Sequence, residues 1–165
     1  MPDKHTLEEA ERATRDRVEH LPLDFASAHA LSSMFRASNA VRTHLTNEVL
    51  RPHDLTWTGF LVMWTLWIWE SMETRDVAES VGISKATLTG VAKTLTTRGL
   101  VERIPSTVDR RLVNLELTPS GITLMERLYP EFNAIESKIV ADLSPRQMTL
   151  LTNLLRKIVE TTERL

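Results

Sequence analysis

Apolar residues in this chain recur mostly at three- and four-residue steps, and in one stretch at every second position, so helices dominate and a short sheet interrupts them. From Thr6 to about His20 a charge-rich segment carries one weak apolar stripe, Leu7, Ala10, Thr14, Val18 and Leu21. Leu21-Pro22-Leu23-Asp24 breaks it, with Asp24 placed to cap a long helix reaching about Leu50. Along that helix Leu31, Met34, Phe35, Ser38, Val41, Leu45 and Val49 fall at three- and four-residue steps, and Arg51-Pro52-His53-Asp54 ends it. The next helix, from Thr56, is apolar almost all round, as a central helix would be. A short helix is expected from Thr74 as N-cap through Val81, closed by Gly82. Ser84 caps another, whose Leu88, Val91, Ala92 and Leu95 point inward, and Arg98-Gly99 stops it.

The period then falls to two. Leu100–Ile104 and the alternating Val113, Leu115 and Leu117 form two strands around a polar, basic tip, Pro105 to Arg111. Thr118-Pro119 restarts helix with a cap and an N1 proline. Met125, Leu128, Phe132, Ile135 and Ile139 keep a heptad step, and Pro130 inside them predicts a kink and not a stop. Ser144-Pro145-Arg146-Gln147 is a capping box, followed by Met148, Leu151, Leu155, Ile158, Thr162 and Leu165 at the same step. Both final helices look too apolar for a small body to cover, so Met125, Leu128, Phe132, Met148, Leu151, Leu155 and Ile158 are expected in a homodimer seam.

Composition narrows the chemistry. With 165 residues and 42% apolar content, the chain suits one compact subunit with a real core. No cysteine is present, which excludes disulfides, thiolate metal sites and cysteine nucleophiles. The histidines (His5, His20, His29, His44, His53) show no metal-ligand spacing, and no nucleophile elbow, P-loop or dinucleotide fingerprint occurs. An enzyme, a metal and a cofactor are therefore not expected. The acidic first twenty residues do not resemble a targeting peptide, and the apolar run Gly59–Trp69 is too short to span a bilayer, so a cytoplasmic protein is expected. Net charge is −2, yet the stretch from Gly82 to Arg111 holds six basic residues against two acidic ones, a local +4 that suits an anionic partner.

Helix, glycine turn, helix, strand, basic tip and strand make a winged helix-turn-helix within a mainly α chain. A short helix braces a second one whose exposed N-terminal face can enter a major groove. On that second helix Ser84, Lys85, Thr87, Thr89, Gly90, Lys93 and Thr94 remain outward, and such hydroxyls and amines suit base edges and phosphates. Arg103 on the first strand and Asp109, Arg110 and Arg111 at the tip complete the candidate DNA surface. Adjacent arginines of that kind can enter a minor groove.

Asp76-Val77-Ala78-Glu79-Ser80-Val81-Gly82-Ile83-Ser84-Lys85-Ala86-Thr87-Leu88-Thr89, then Leu95-Thr96-Thr97-Arg98-Gly99-Leu100-Val101-Glu102-Arg103, resembles the MarR family of transcriptional regulators. The wing Asp109-Arg110-Arg111 and the following Leu115-Glu116-Leu117-Thr118-Pro119-Ser120-Gly121 match that family's wing signature. The resemblance spans about Asp24 to Leu165 and implies an all-helical dimer with a β-wing on a palindromic operator, usually a repressor released by a small ligand. By position Asp109 would hold an arginine in place, and Arg111 resembles the minor-groove residue. Expected regions are an extension over 1–22 and a MarR-like subunit over 23–165. In that subunit 23–50 and 119–165 serve dimerisation and 55–118 binds double-stranded DNA.

Two questions stay open at this level. A helical protein-interaction module without DNA binding is the alternative; it would need neither a steep salt dependence nor two arginines at a hairpin tip. Trp57, Phe60, Trp64 and Trp67 share one helical face and suit either a bulky core or a small aromatic effector, with Arg42 or His44 as polar handle. The extension resembles that of family members sensing phenolic or purine-like ligands. It lacks their tryptophan, since Val18 stands there and none precedes Trp57, which speaks against a urate-type ligand.

Overall fold

A computed structural model describes residues 6–105 and 113–165, in two compact units, Met1–His44 and Leu45–Leu165. The first unit holds α1 (Leu7–Val18) and nearly all of α2 (Phe25–Leu45). Thr6 and Glu9 close a reciprocal capping box on α1. Asp24 caps α2 as expected, its carboxylate accepting from the backbone N–H of Ala26 and Ser27. The Ser27 hydroxyl and amide hold that carboxyl below the usual aspartate range. Between the helices the Arg15 guanidinium lies 5.7 Å over the Phe25 ring, and His29 Nδ1 stands 3.9 Å from the Glu11 carboxylate.

The helix expected to reach Leu50 is α-helical only to Leu45; a π-helical turn, Thr46–Leu50, and a 3-10 turn, Arg51–His53, follow. Pro52 explains the change. In a continued α-helix its ring would collide with the carbonyl of Glu48, and it has no N–H to donate there. The wider turn places the consecutive Val49 and Leu50 both in the core. Asp54 then reverses the chain at φ 52°.

The second unit is built around α3 (Trp57–Trp69), capped by Thr56, which packs against α4 (Thr74–Val81), α5 (Lys85–Thr97), α6 (Pro119–Ile139) and the sheet. The sheet has three antiparallel strands in the order β1 (Met72–Glu73), β3 (Val113–Leu117), β2 (Val101–Pro105). Thr74 is the first helical residue of α4 and not its cap: Glu73 holds the cap position without a side-chain bond. The cause is β1, absent from the sequence reading, which draws Met72 and Glu73 into register with Leu115 and Asn114. Gly82 at φ 70° ends α4, and Ser84 caps α5 by accepting from the Thr87 amide. After α5 the chain turns at Gly99, φ 67°, into β2.

α6 starts from a tight joint. Thr118 donates its amide to the Leu100 carbonyl at 3.1 Å and its hydroxyl to the Gly99 carbonyl at 2.6 Å. The helix runs on through Pro130, as the pattern predicted. Met125, Leu128 and Phe132 do not line a seam between copies: all three are buried in this chain's own core, with Phe132 stacked 4.5 Å from Phe60. The heptad repeat had marked a buried face correctly, but α3 covers it. On α7 (Pro145–Thr162), capped by the Ser144–Gln147 box, no residue is buried. Met148 and Ile158 are half-buried there, and Leu151 and Leu155 are exposed.

Candidate nucleic-acid interface

The reading face of α5 is set by its inward side. Leu88, Ala92 and Leu95 are buried, which leaves Ser84, Lys85, Thr87, Thr89, Gly90, Lys93 and Thr94 exposed around the rest of the helix, as the spacing predicted. Their hydroxyls are not equivalent. Ser84 Oγ is committed to the cap and lies 2.8 Å from Thr87 Oγ1. Thr89 and Thr94 donate their hydroxyl protons back to the carbonyls of Lys85 and Gly90, at 2.9 and 3.2 Å. What these threonines present outward is therefore lone pairs and methyl groups, suited to the exocyclic amines of adenine or cytosine and to the thymine methyl. Lys85 and Lys93 supply mobile cationic donors.

Arg103 is exposed on β2, opposite Leu115 of β3. Asp109, Arg110 and Arg111 lie outside the described residues. A cleft of about 510 Å³ opens between α4, α5 and the sheet, and Arg75, Lys85, Arg103 and Glu73 line it. Arg75, on the first turn of α4, escaped the sequence reading because it precedes the basic stretch that was counted. A cation in the first turn of the bracing helix is the sequence signal for it. The arrangement is an exposed helix face with cations on three elements beside it, which can contact an anionic backbone while the threonines meet base edges.

Arg98 was passed over too. From the C-cap of α5 its guanidinium donates to the carbonyls of Asp54 at 2.6 Å and His53 at 2.8 Å, clamping the far end of the reading helix to the turn before α3.

The aromatic face of α3 forms one cluster with α6. Trp64 lies 4.5 Å from Tyr129, Trp67 lies 5.7 Å from Tyr129, and Trp57 lies 6.2 Å from Phe132. Phe60 is closed off in the core, whereas Trp57, Trp64 and Trp67 keep partly open rings. Arg42 and His44 belong to the first unit, where both are exposed and Arg42 donates to Asn39 Oδ1 at 3.0 Å.

Residues 55–113 match the MarR family. The HTH-type transcriptional regulator YwaE of Bacillus subtilis, itself uncharacterized, is 35% identical over 157 residues, 93% of this chain and 92% of its own length. The chain belongs to the MarR family of transcriptional regulators. Among solved structures, this MarR-family chain is similar to BpsR of Bordetella bronchiseptica, whose DNA binding is regulated by 6-hydroxynicotinic acid. Identity is 27%, the TM-score is 0.71, and the match covers 79% of this chain and 98% of BpsR. NadR, solved in complex with 4-hydroxyphenylacetate, is 27% identical with TM-score 0.66 over 76% of this chain and 89% of its own. The mainly helical fold with a small antiparallel sheet is that of winged-helix MarR proteins, and its homologues are regulators of transcription. Among the described residues no helix is long and apolar enough to cross a membrane.

Proposed function

We propose that two copies of this chain bind a palindromic operator as a ligand-responsive repressor. The observation that carries the DNA reading is the exposed α5 face of Lys85, Thr87, Thr89, Lys93 and Thr94 beside Arg103. Two such helices related by a two-fold axis would meet half-sites about ten base pairs apart. Selection from random duplex DNA tests this: an enriched palindrome of that spacing is the expected result. On the selected site, Lys93→Ala should lower the slope of log affinity against log salt by about one unit. Arg110→Ala with Arg111→Ala should weaken binding further through the minor groove. Unchanged affinity in that double variant overturns the wing assignment. Failure to enrich any duplex favours the protein-interaction module.

The effector belongs to the same proposal. Two relatives' aromatic acids and the half-open rings of Trp57, Trp64 and Trp67 support a flat aromatic acid stacking on the α3–α6 cluster. Such a ligand acts only through different affinity for the DNA-competent and DNA-incompetent arrangements. Titrating hydroxylated nicotinic and phenylacetic acids should quench tryptophan emission and release operator together, and Trp64→Phe should blunt both. If none of these compounds does either, the rings serve packing alone.

A further inference from the structure

A second cleft, of about 600 Å³, lies away from the α5 reading face. It is an open groove lined by the turn before α3, the C-cap of α5 and the first half of α6. Arg98 and Arg127 line it with His53, Asp54, Ser120 and Thr123. Among the described residues neither guanidinium is paired with a carboxylate. Arg98 is held by two backbone carbonyls, and Arg127 Nη2 lies 3.4 Å from His53 Nδ1. His53 Nε2 faces Glu131 at 3.5 Å, which suits the tautomer protonated on Nε2 and leaves Nδ1 to accept from Arg127. Glu131, His53 and Arg127 thus stand in a row of long contacts, and Asp54, which lines the same cleft, forms no ion pair with either arginine among the described residues. Two guanidiniums without an ion-pair partner, Arg98 held in place and Arg127 at the rim, suit an oxyanion, and the Ser120 hydroxyl adds a donor at the positive end of α6.

We propose that this cleft binds the carboxylate or phosphate of a small organic anion, at a site separate from both the DNA face and the aromatic cluster. An anion there would join Arg98, at the end of the reading helix, to Arg127 on α6, and so bias the angle between them.

The test is titration of the whole protein with phosphate, benzoate and phenyl phosphate at constant ionic strength, followed by amide and arginine side-chain NMR shifts. Saturable shifts at Ser120, Thr123 and Arg127 are expected. Phosphate and benzoate as separate arms tell which oxyanion is preferred. Arg127→Gln, at an exposed position, should weaken binding by about tenfold. Ser120→Asp puts a carboxylate into the cleft at a helix start that favours acidic residues, so the chain should fold and lose binding by a similar factor. Lys85→Ala with Lys93→Ala should leave the affinity unchanged. The proposal is overturned if no shift saturates by about 50 mM ligand, a bound weaker than any useful metabolite affinity. It is equally overturned if Arg127→Gln binds as well as the native chain, or if that variant instead lowers the salt slope for duplex DNA.

Discussion

Leu155→Asp should give a chain that folds yet no longer pairs with a second copy. No residue of α7 is buried within the chain, and Leu150, Leu151, Leu154, Leu155 and Val159 are all more than a third exposed. Replacing one of them therefore opens no cavity in the subunit. In a two-fold seam each copy would bring an unpaired carboxylate into an apolar contact, which costs about 3 kcal/mol and weakens association on the order of a hundredfold or more. Sedimentation should show the native chain as a dimer at micromolar concentration and the variant as a monomer with unchanged helical circular dichroism. Operator affinity should fall with it, since a single α5 meets only one half-site. A native chain that sediments as a monomer removes the dimer proposal outright.

Gly121→Ala should destabilise the subunit, although helix propensity alone predicts the opposite sign. Alanine is favoured over glycine inside a helix by up to about 1 kcal/mol. Here a Cβ would stand 2.1 Å from the Leu100 carbonyl oxygen and 3.1 Å from its carbon, both backbone atoms that cannot swing aside. That carbonyl already accepts the Thr118 amide, so moving it breaks the bond that seats α6 on β2. A clash against backbone outweighs the propensity, and the net loss should be about 3–4 kcal/mol, lowering Tm by roughly 10 °C. Thermal unfolding decides it, with exposed Ile122→Ala as a neighbour whose loss should be small. An unchanged or raised Tm would show that α6 can slide at its start.

The helix starts at Thr6, Asp24, Ser84, Thr118 and Ser144 were legible because each hydroxyl or carboxylate cap is a local choice made by its own residues. The reading face of α5 was legible for the same reason: four apolar residues fix which side faces in. Thr74 failed as a cap because a strand pairing more than forty residues away claims Glu73. Leu45 ended α2 early because Pro52 acts on the turn before it, while the apolar spacing ran on undisturbed. The heptads misled in a more instructive way. Periodicity says that a face is covered but not by whom, so Leu128 and Leu155 carried the same signal although one is fully buried in the chain and the other is open. Arg98 was legible only as a helix stop; its clamp on the turn before α3 was not, since its partners are carbonyls, which every residue has.

The position of β3 between β1 and β2 has a mechanical meaning. Two residues of β1 tie its middle, at Asn114 and Leu115, to the segment that leads straight into α4, while β2 fastens its other side to the end of α5. The base of the hairpin is thus stitched to both helices of the helix-turn-helix, and cannot hinge independently of them. A tilt of those helices therefore carries the paired ends of β2 and β3 with it, so the sheet and the reading helix are aimed together.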